Sequence, residues 1–222
     1  DKNEASLTAF NRSHLLEQEI ISEEVEGFDT DDDGTDDVTI TARLTSDNPL
    51  TWHTATGNPT GTPKTSYLGW YMDLFNTDKG ANTDNFGERQ VSDPILRNGR
   101  IIFTTLLPST NTCTFGGDGF LMELDAADGS RLAFSPFDLN ADGEFNEEDY
   151  IQASFDADGD GINDLLPASG KKSEVGIITT PTILSDNNIE YKFASGSTGG
   201  IDTTTENPGP GNAGRQSWKQ LR

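Results

Sequence analysis

Cysteine and histidine are almost missing from this 222-residue chain: Cys113 stands alone, and His14 and His53 are the only imidazoles. A lone cysteine excludes a disulfide within the chain, leaving only a partner in another segment. So few nitrogen and sulfur ligands argue against zinc, copper or an iron–sulfur centre. Cys113 reads as a semi-buried structural residue rather than a reactive one. Basic residues are scarce as well, 15 Lys and Arg against 38 Asp and Glu, which gives a net charge of −23. No basic stripe exists to neutralise phosphates, so nucleic acid is excluded as a partner. No apolar run approaches the ~20 residues that span a bilayer. A signal peptide is also missing, and the abrupt start at Asp1 fits a processed or partial product. Hydrophobic content is only 32%, while Gly, Thr, Ser, Asn and Asp abound. That balance favours short strands joined by many turns over helical layers.

What is abundant is aspartate, and it is patterned. Three stretches read FDTDDDGTDD (Phe28–Asp37), FDLNADGEFNEED (Phe137–Asp149) and FDADGDGIND (Phe155–Asp164). Each sets oxygen side chains at loop positions 1, 3 and 5, glycine at 6 and another oxygen at 9, the ligand order of an EF-hand-type Ca²⁺ loop. Alternate residues of a tight loop converge on one point, and hard carboxylate and carbonyl oxygens suit Ca²⁺. The first loop, 29–37, offers Asp29, Asp31, Asp33, the Thr35 carbonyl and Asp37, with nothing at position 12 able to ligate. The middle loop, 138–149, fills the whole template with Asp138, Asn140, Asp142, the Glu144 carbonyl, Asn146 and, at position 12, Asp149. The third, 156–164, offers Asp156, Asp158, Asp160, the Ile162 carbonyl and Asp164, but Pro167 stands at position 12. The two outer loops would need water or a distant carboxylate to complete a shell. Six, six and four of the 38 acidic residues lie in these loops. Without up to three ions each cluster repels itself, so the fold is expected to depend on calcium.

Between the loops the pattern is that of strands. Val38, Ile40, Ala42 and Leu44 alternate with Thr39, Thr41 and Arg43. YLGWYMDL, GRIIFTTLLP, GFLMELDA and RLAFSPF follow, and VGIITTPTIL with IEYKFASG makes a hairpin across Ser185–Asn188. GRQSWKQL reads as a last short strand, and Trp52, Trp70 and Trp218 as core anchors. Residues 9–25 fit either a short helix capped by Asn11 or Ser13, or a helical turn feeding a strand; Tyr150 and Ile151 fit the start of an exiting helix. The expected fold is all-β over residues 1–222, with antiparallel four-stranded meanders forming part of a β-propeller and the calcium loops inserted between strands. A propeller needs about 4–8 blades, so the remaining blades or another copy would complete it.

Catalysis has little support. No GxSxG elbow is present, and SGKKS from Ser169 lacks the upstream glycine of a phosphate loop. A dockerin-like pairing of the last two loops fails for want of a position-12 ligand in the second. A non-catalytic protein is expected.

Four segments together resemble one family. They are GWYMDL (Gly69–Leu74), GERQVSDPILRNGRIIFTTLLPSTNTC (Gly87–Cys113), GGDGFLMELDAADGSRLAFSPFDLNADGEF (Gly116–Phe145) and GRQSWKQLR (Gly214–Arg222). In this order they are similar to the C-terminal region of the PilC/PilY-type adhesins of bacterial type IV pili. The resemblance implies a modified β-propeller exported to the cell surface and acting in pilus biogenesis and adhesion. It also implies pilin or minor pilins and a host or abiotic surface ligand as partners, with Ca²⁺ regulating pilus extension and retraction. The family's regulatory loop is followed by a Tyr-Ala-Gly-Asp type strand; here Asp37 leads into VTITARL, so no loop receives that role. The alternative reading is a calcium-stabilised module that self-assembles into an extracellular layer or fibre.

Overall fold

The computed structural model describes residues 11–29, 33–76, 87–109, 116–186 and 188–209. Cys113, Trp218 and the final GRQSWKQLR lie outside the described residues, as does Asp31. The strands are β1 (Leu16–Phe28), β2 (Val38–Thr45), β3 (Trp70–Asn76), β4 (Arg89–Gln90), β5 (Ile95–Arg97), β6 (Arg100–Pro108) and β7 (Gly117–Asp118). There follow β8 (Phe120–Asp125), β9 (Tyr150–Gln152), β10 (Leu165–Pro167), β11 (Gly170–Lys172), β12 (Thr182–Asp186), β13 (Ile189–Ser195) and β14 (Ile201–Glu206).

The first element decides the ambiguity at residues 9–25 in favour of a strand. One 3₁₀ turn, Arg12–His14, is closed by Asn11, whose side chain accepts from Ser13 N while His14 Nδ1 accepts from Asn11 N. From Leu16 the chain is extended, and Gln18, Ile20 and Ser22 point inward at period two. A helix would have aligned Val25 with the apolar stripe; it is 69% exposed instead. Ile20, Ile21 and Val25 are β-branched and suit the pleat better than a helix.

The all-β expectation holds, but the strands are not grouped in fours. Among the described residues, nine strands form one sheet in the order β3-β1-β2-β11-β8-β6-β4, with β5 and β7 also on β6. The link between its halves is β11, three residues long, which pairs antiparallel with β2 on one side and β8 on the other. Gly170 makes this possible, because a Cβ there would run into Met122 Sδ. β1 and β3 pair in parallel, which a simple meander does not do. β9 and β10 form a two-stranded ribbon, and β12-β13-β14 a three-stranded sheet. RLAFSPF contributes no strand, and Tyr150–Gln152 is β9 rather than a helix. Trp52 is 53% exposed and so is no core anchor, whereas Trp70 covers Gly129.

One apolar cluster unites these pieces: Ile40, Ala42 and Leu44 meet Ile102, Leu121 and Ile151. The phenylalanine ahead of each aspartate ladder reaches it too. Phe28 and Phe137 are buried within the cluster, and Phe155 packs against it. All three acidic loops are therefore anchored on one core.

The sheets also meet through buried charge. Arg97, Arg100 and Lys192 face Glu123, Glu190 and Glu206, three cations against three anions. Arg100 Nη1 lies 2.7 Å from Glu123 Oε2, and Arg97 Nη2 lies 2.6 Å from Glu190 Oε1. Burial alone would raise the Glu190 carboxyl, but Arg97, Lys192 and Arg100 hold it below the usual carboxylate range. Separately, Arg43 crosses from β2 to Glu23 and Glu88, all three side chains at most 8% exposed.

Candidate metal centre

The two outer loops are hairpins of one design. Phe28 pairs with Val38, and Asp37 N donates to Phe28 O at 2.9 Å. In the third loop Asp164 N donates to Phe155 O at 3.2 Å and Ala153 N to Asp164 O at 2.8 Å. An acidic turn thus joins β1 to β2 across residues 29–37 and β9 to β10 across residues 153–164, the second carrying its ladder at 156–164. The chain returns to a strand straight after position 9, which is why neither loop presents a ligand at position 12.

Inside every loop the backbone repeats the same two contacts. The position-6 glycine donates to the position-1 aspartate: Gly34 to Asp29 at 2.7 Å, Gly143 to Asp138 at 3.2 Å and Gly161 to Asp156 at 2.7 Å. The position-7 amide donates to the position-5 aspartate: Thr35 to Asp33 at 2.9 Å, Glu144 to Asp142 at 2.6 Å and Ile162 to Asp160 at 2.8 Å. The three glycines have φ of 86°, 79° and 91°. That left-handed turn is open to glycine at no steric cost. Position 4 of the middle loop, Ala141, also has positive φ, at 62°.

The third loop brings its ligands together most fully. Among the described residues, one group of three metal-capable side chains has its oxygens within 4.8 Å of one another: Asp156, Asp158 and Asp164. They occupy positions 1, 3 and 9. Asp160 is not in that group; its carboxylate accepts from Ile162 N instead. Amide donors, Gly161 first and then Gly159, hold the Asp156 carboxyl below its ordinary range, so it stays ionised and ready for a cation. In the first loop Asp29, Asp33, Thr35 and Asp37 lie in the described part, and the predicted shell cannot be followed through Asp31.

The middle loop is the most buried. Asn146 caps the 3₁₀ turn Glu147–Asp149 by accepting from Glu148 N at 2.6 Å. This folds the chain back so that Asp149, fully buried, accepts from Leu139 N at 2.7 Å and Asn146 N at 3.1 Å. Asn140 Nδ2 donates to Asp142 Oδ2, so positions 3 and 5 face each other. Asp138 Oδ1 is buried with no hydrogen-bond partner among the described residues. An orphaned carboxylate oxygen beside a second buried carboxylate is the arrangement a hard cation relieves. Burial raises Asp138, with Asp142 adding to it, and burial pushes Asp149 up to about 6, with Asp138 adding.

The sign of that shift yields a measurable expectation. Because the folded value lies above the ordinary one, the metal-free loop is least stable above pH 6 and recovers as pH falls toward the usual carboxylate range. A calcium ion held here would compete with the same proton. Titrations near pH 7.5 and near pH 5 should therefore show affinity at this loop falling about tenfold at the lower pH. Equal affinity at both would remove Asp149 from the site.

A cleft of ≈ 510 Å³ that the sequence did not disclose adjoins the third loop, where Arg131 and Asp47 meet Asp158 and Asp164. Arg131 Nη1 donates to Thr45 O at 2.8 Å. Four separate segments build this cleft, so no local spacing could have revealed it.

No family model matches the chain. It is 26% identical over 182 residues to the type IV pilus biogenesis factor PilY1 of Pseudomonas aeruginosa, covering 82% of this chain and 13% of that protein. It is 29% identical over 158 residues to a PilY1 homolog of Xylella fastidiosa, covering 69% of this chain and 11% of the homolog. A 68-residue stretch, 29% of this chain, is 41% identical to a PilY1 homolog from the same organism and covers 4% of it. The chain thus spans about an eighth of the length of the relatives it matches. The crystal structure of the Pseudomonas aeruginosa PilY1 C-terminal domain superposes with a TM-score of 0.63 at 20% identity, covering 90% of this chain and 33% of that one. The chain is homologous to PilY1 and shares the β-propeller-like fold of its C-terminal domain.

Proposed function

We propose that this chain is part of a calcium-binding, non-catalytic cell-surface factor of type IV pilus biogenesis that acts at the pilus tip in adhesion. The observation that carries the pilus assignment is the alignment with PilY1 over 182 residues. The ion reading has separate support in the Asp156, Asp158 and Asp164 oxygens gathered within 4.8 Å and in the orphaned Asp138 Oδ1. Ca²⁺ in the third loop would be held by those three carboxylates, and in the middle loop by Asp138, Asn140, Asp142 and Asn146 with Asp149 closing the shell. Its part here is structural: it cancels repulsion in turns that are anchored, through Phe28, Phe137 and Phe155, on one core. The partners are pilin or minor pilins on one side and a host or abiotic surface on the other.

A tip factor is rare relative to pilin and sits at one end of the filament. Immunogold imaging of native pili through a tag on this chain, carried in the polypeptide that naturally contains it, should mark single filament ends. Gold along the whole filament would overturn the tip reading and favour the self-assembling module.

A further inference from the structure

Lys192 of β13 and Glu206 of β14 are 1% and 0% exposed. The register pairs Glu190 with Glu206 and Lys192 with Thr204, so the two side chains are diagonal neighbours on one inward face. Lys192 Nζ touches Glu206 on one side and Glu123 Oε1 of β8 on the other. Apart from that amine, neither Glu206 oxygen has a hydrogen-bond partner among the described residues. Glu123, by contrast, is fixed through its other oxygen by Arg100 Nη1 at 2.7 Å.

This is a poor place for two full charges. Burial lowers the Lys192 ammonium's hold on its proton, against the pull of Glu123. A dry pair of this kind can relax by proton transfer to a neutral amine and a carboxylic acid, and those are the two reagents of an amide. We propose that Lys192 and Glu206 become joined by an intramolecular amide, with Glu123 carrying the proton. The lone pair of Lys192 Nζ attacks Glu206 Cδ, and a C–N bond forms. Glu123 takes a proton from the nitrogen and delivers it to the departing hydroxyl. The C–O bond breaks, one water leaves, and no oxidant or cofactor is consumed. Contact removes the cost of encounter, the dry site favours the neutral amine and acid over the unreactive ammonium carboxylate, and the proton brought by Glu123 lets the hydroxyl leave as water. Charge is balanced afterwards as before, because Arg97 and Arg100 still face Glu123 and Glu190.

The bond would weld β14 to β13. Tension arriving from beyond Glu206 would then pass into β13 and the core instead of peeling β14 from its edge. That property suits a surface protein under load, yet the inference stands whether or not the pilus assignment does.

The test is the intact mass of the unmodified chain under denaturing conditions, which should be lower than the sequence mass by one water. Tandem spectra should place the loss on Lys192 and Glu206, and trypsin should fail to cut after Lys192. A full sequence mass overturns the proposal, as does a loss mapped to an aspartate–glycine step such as Asp33-Gly34. Lys192→Arg should restore the full mass; a persisting loss has the same overturning force. Glu123→Gln should slow linking roughly 100-fold, and an unchanged linked fraction would remove Glu123 from the reaction.

Discussion

Addition of EGTA is expected to lower the melting temperature by roughly 5–10 °C for each site emptied. An ion held at a hundredfold excess over its Kd stabilises the folded state by about 2.7 kcal/mol, and 1 kcal/mol moves Tm by about 2–4 °C in a chain of this size. Extracellular loops of this class bind at about 10⁻⁴–10⁻³ M, so the reference melt needs calcium well into the millimolar range. The loss should be local before it is global. The loop at residues 29–37 and the loop at residues 156–164 are hairpin turns closed at their mouths by backbone bonds, Asp37 to Phe28 in the first and Asp164 to Phe155 with Ala153 to Asp164 in the other. With the ion gone, the carboxylates gathered at Asp156, Asp158 and Asp164 repel one another, and proteases should cut there first. Superimposable melts with and without chelator would remove calcium from the stability of the fold.

The second large effect lies far from the loops. Arg43→Met should cost about 3–5 kcal/mol, the range for breaking a buried ion pair by removing one partner. Its guanidinium donates to Glu23 Oε1 at 2.8 Å and to Glu88 at 2.5 and 2.7 Å, and lies 3.5 Å from the centroid of the Phe120 ring. Methionine would fill the space and leave two carboxylates without their shared cation. Arg43→Lys should rescue little, because an ammonium cannot present the planar fork or stack on the ring. Adding Glu23→Gln and Glu88→Gln to Arg43→Met should recover part of the loss. If urea denaturation shows Arg43→Met costing under about 1 kcal/mol, water reaches the cluster and the burial argument fails.

Arg43 also shows where the sequence was hard to read. In VTITARL it stands on the polar phase, opposite Val38, Ile40, Ala42 and Leu44. That alternation assumes a strand with one wet face. β2 lies between β1 and β11 inside the sheet and is buried on both phases from Ala42 to Thr45. Glu190 and Lys192 in IEYKFAS likewise point inward. A buried charge and a solvated one look alike in a sequence, because the partners that tell them apart, Glu88 or Glu123, lie tens of residues away. The turns of the acidic loops were legible for the opposite reason: their contacts are local, and spacing alone placed glycine at the left-handed turn three times. Beyond position 9 of the outer loops the chain resumes strands at Val38 and Leu165, and in the third loop the position-5 Asp160 stands outside the cluster of Asp156, Asp158 and Asp164. Strand existence was readable from period two. Strand order was not, since β11 depends on Gly170 slipping past Met122.

Calcium titration of the metal-stripped chain by calorimetry tests the central claim most directly. Saturable binding of up to three ions is expected, with Asp142→Ala deleting or weakening one site by removing its position-5 ligand while the others keep their affinity. No binding heat in the wild-type chain, or the same number and strength of sites in Asp142→Ala, would contradict it.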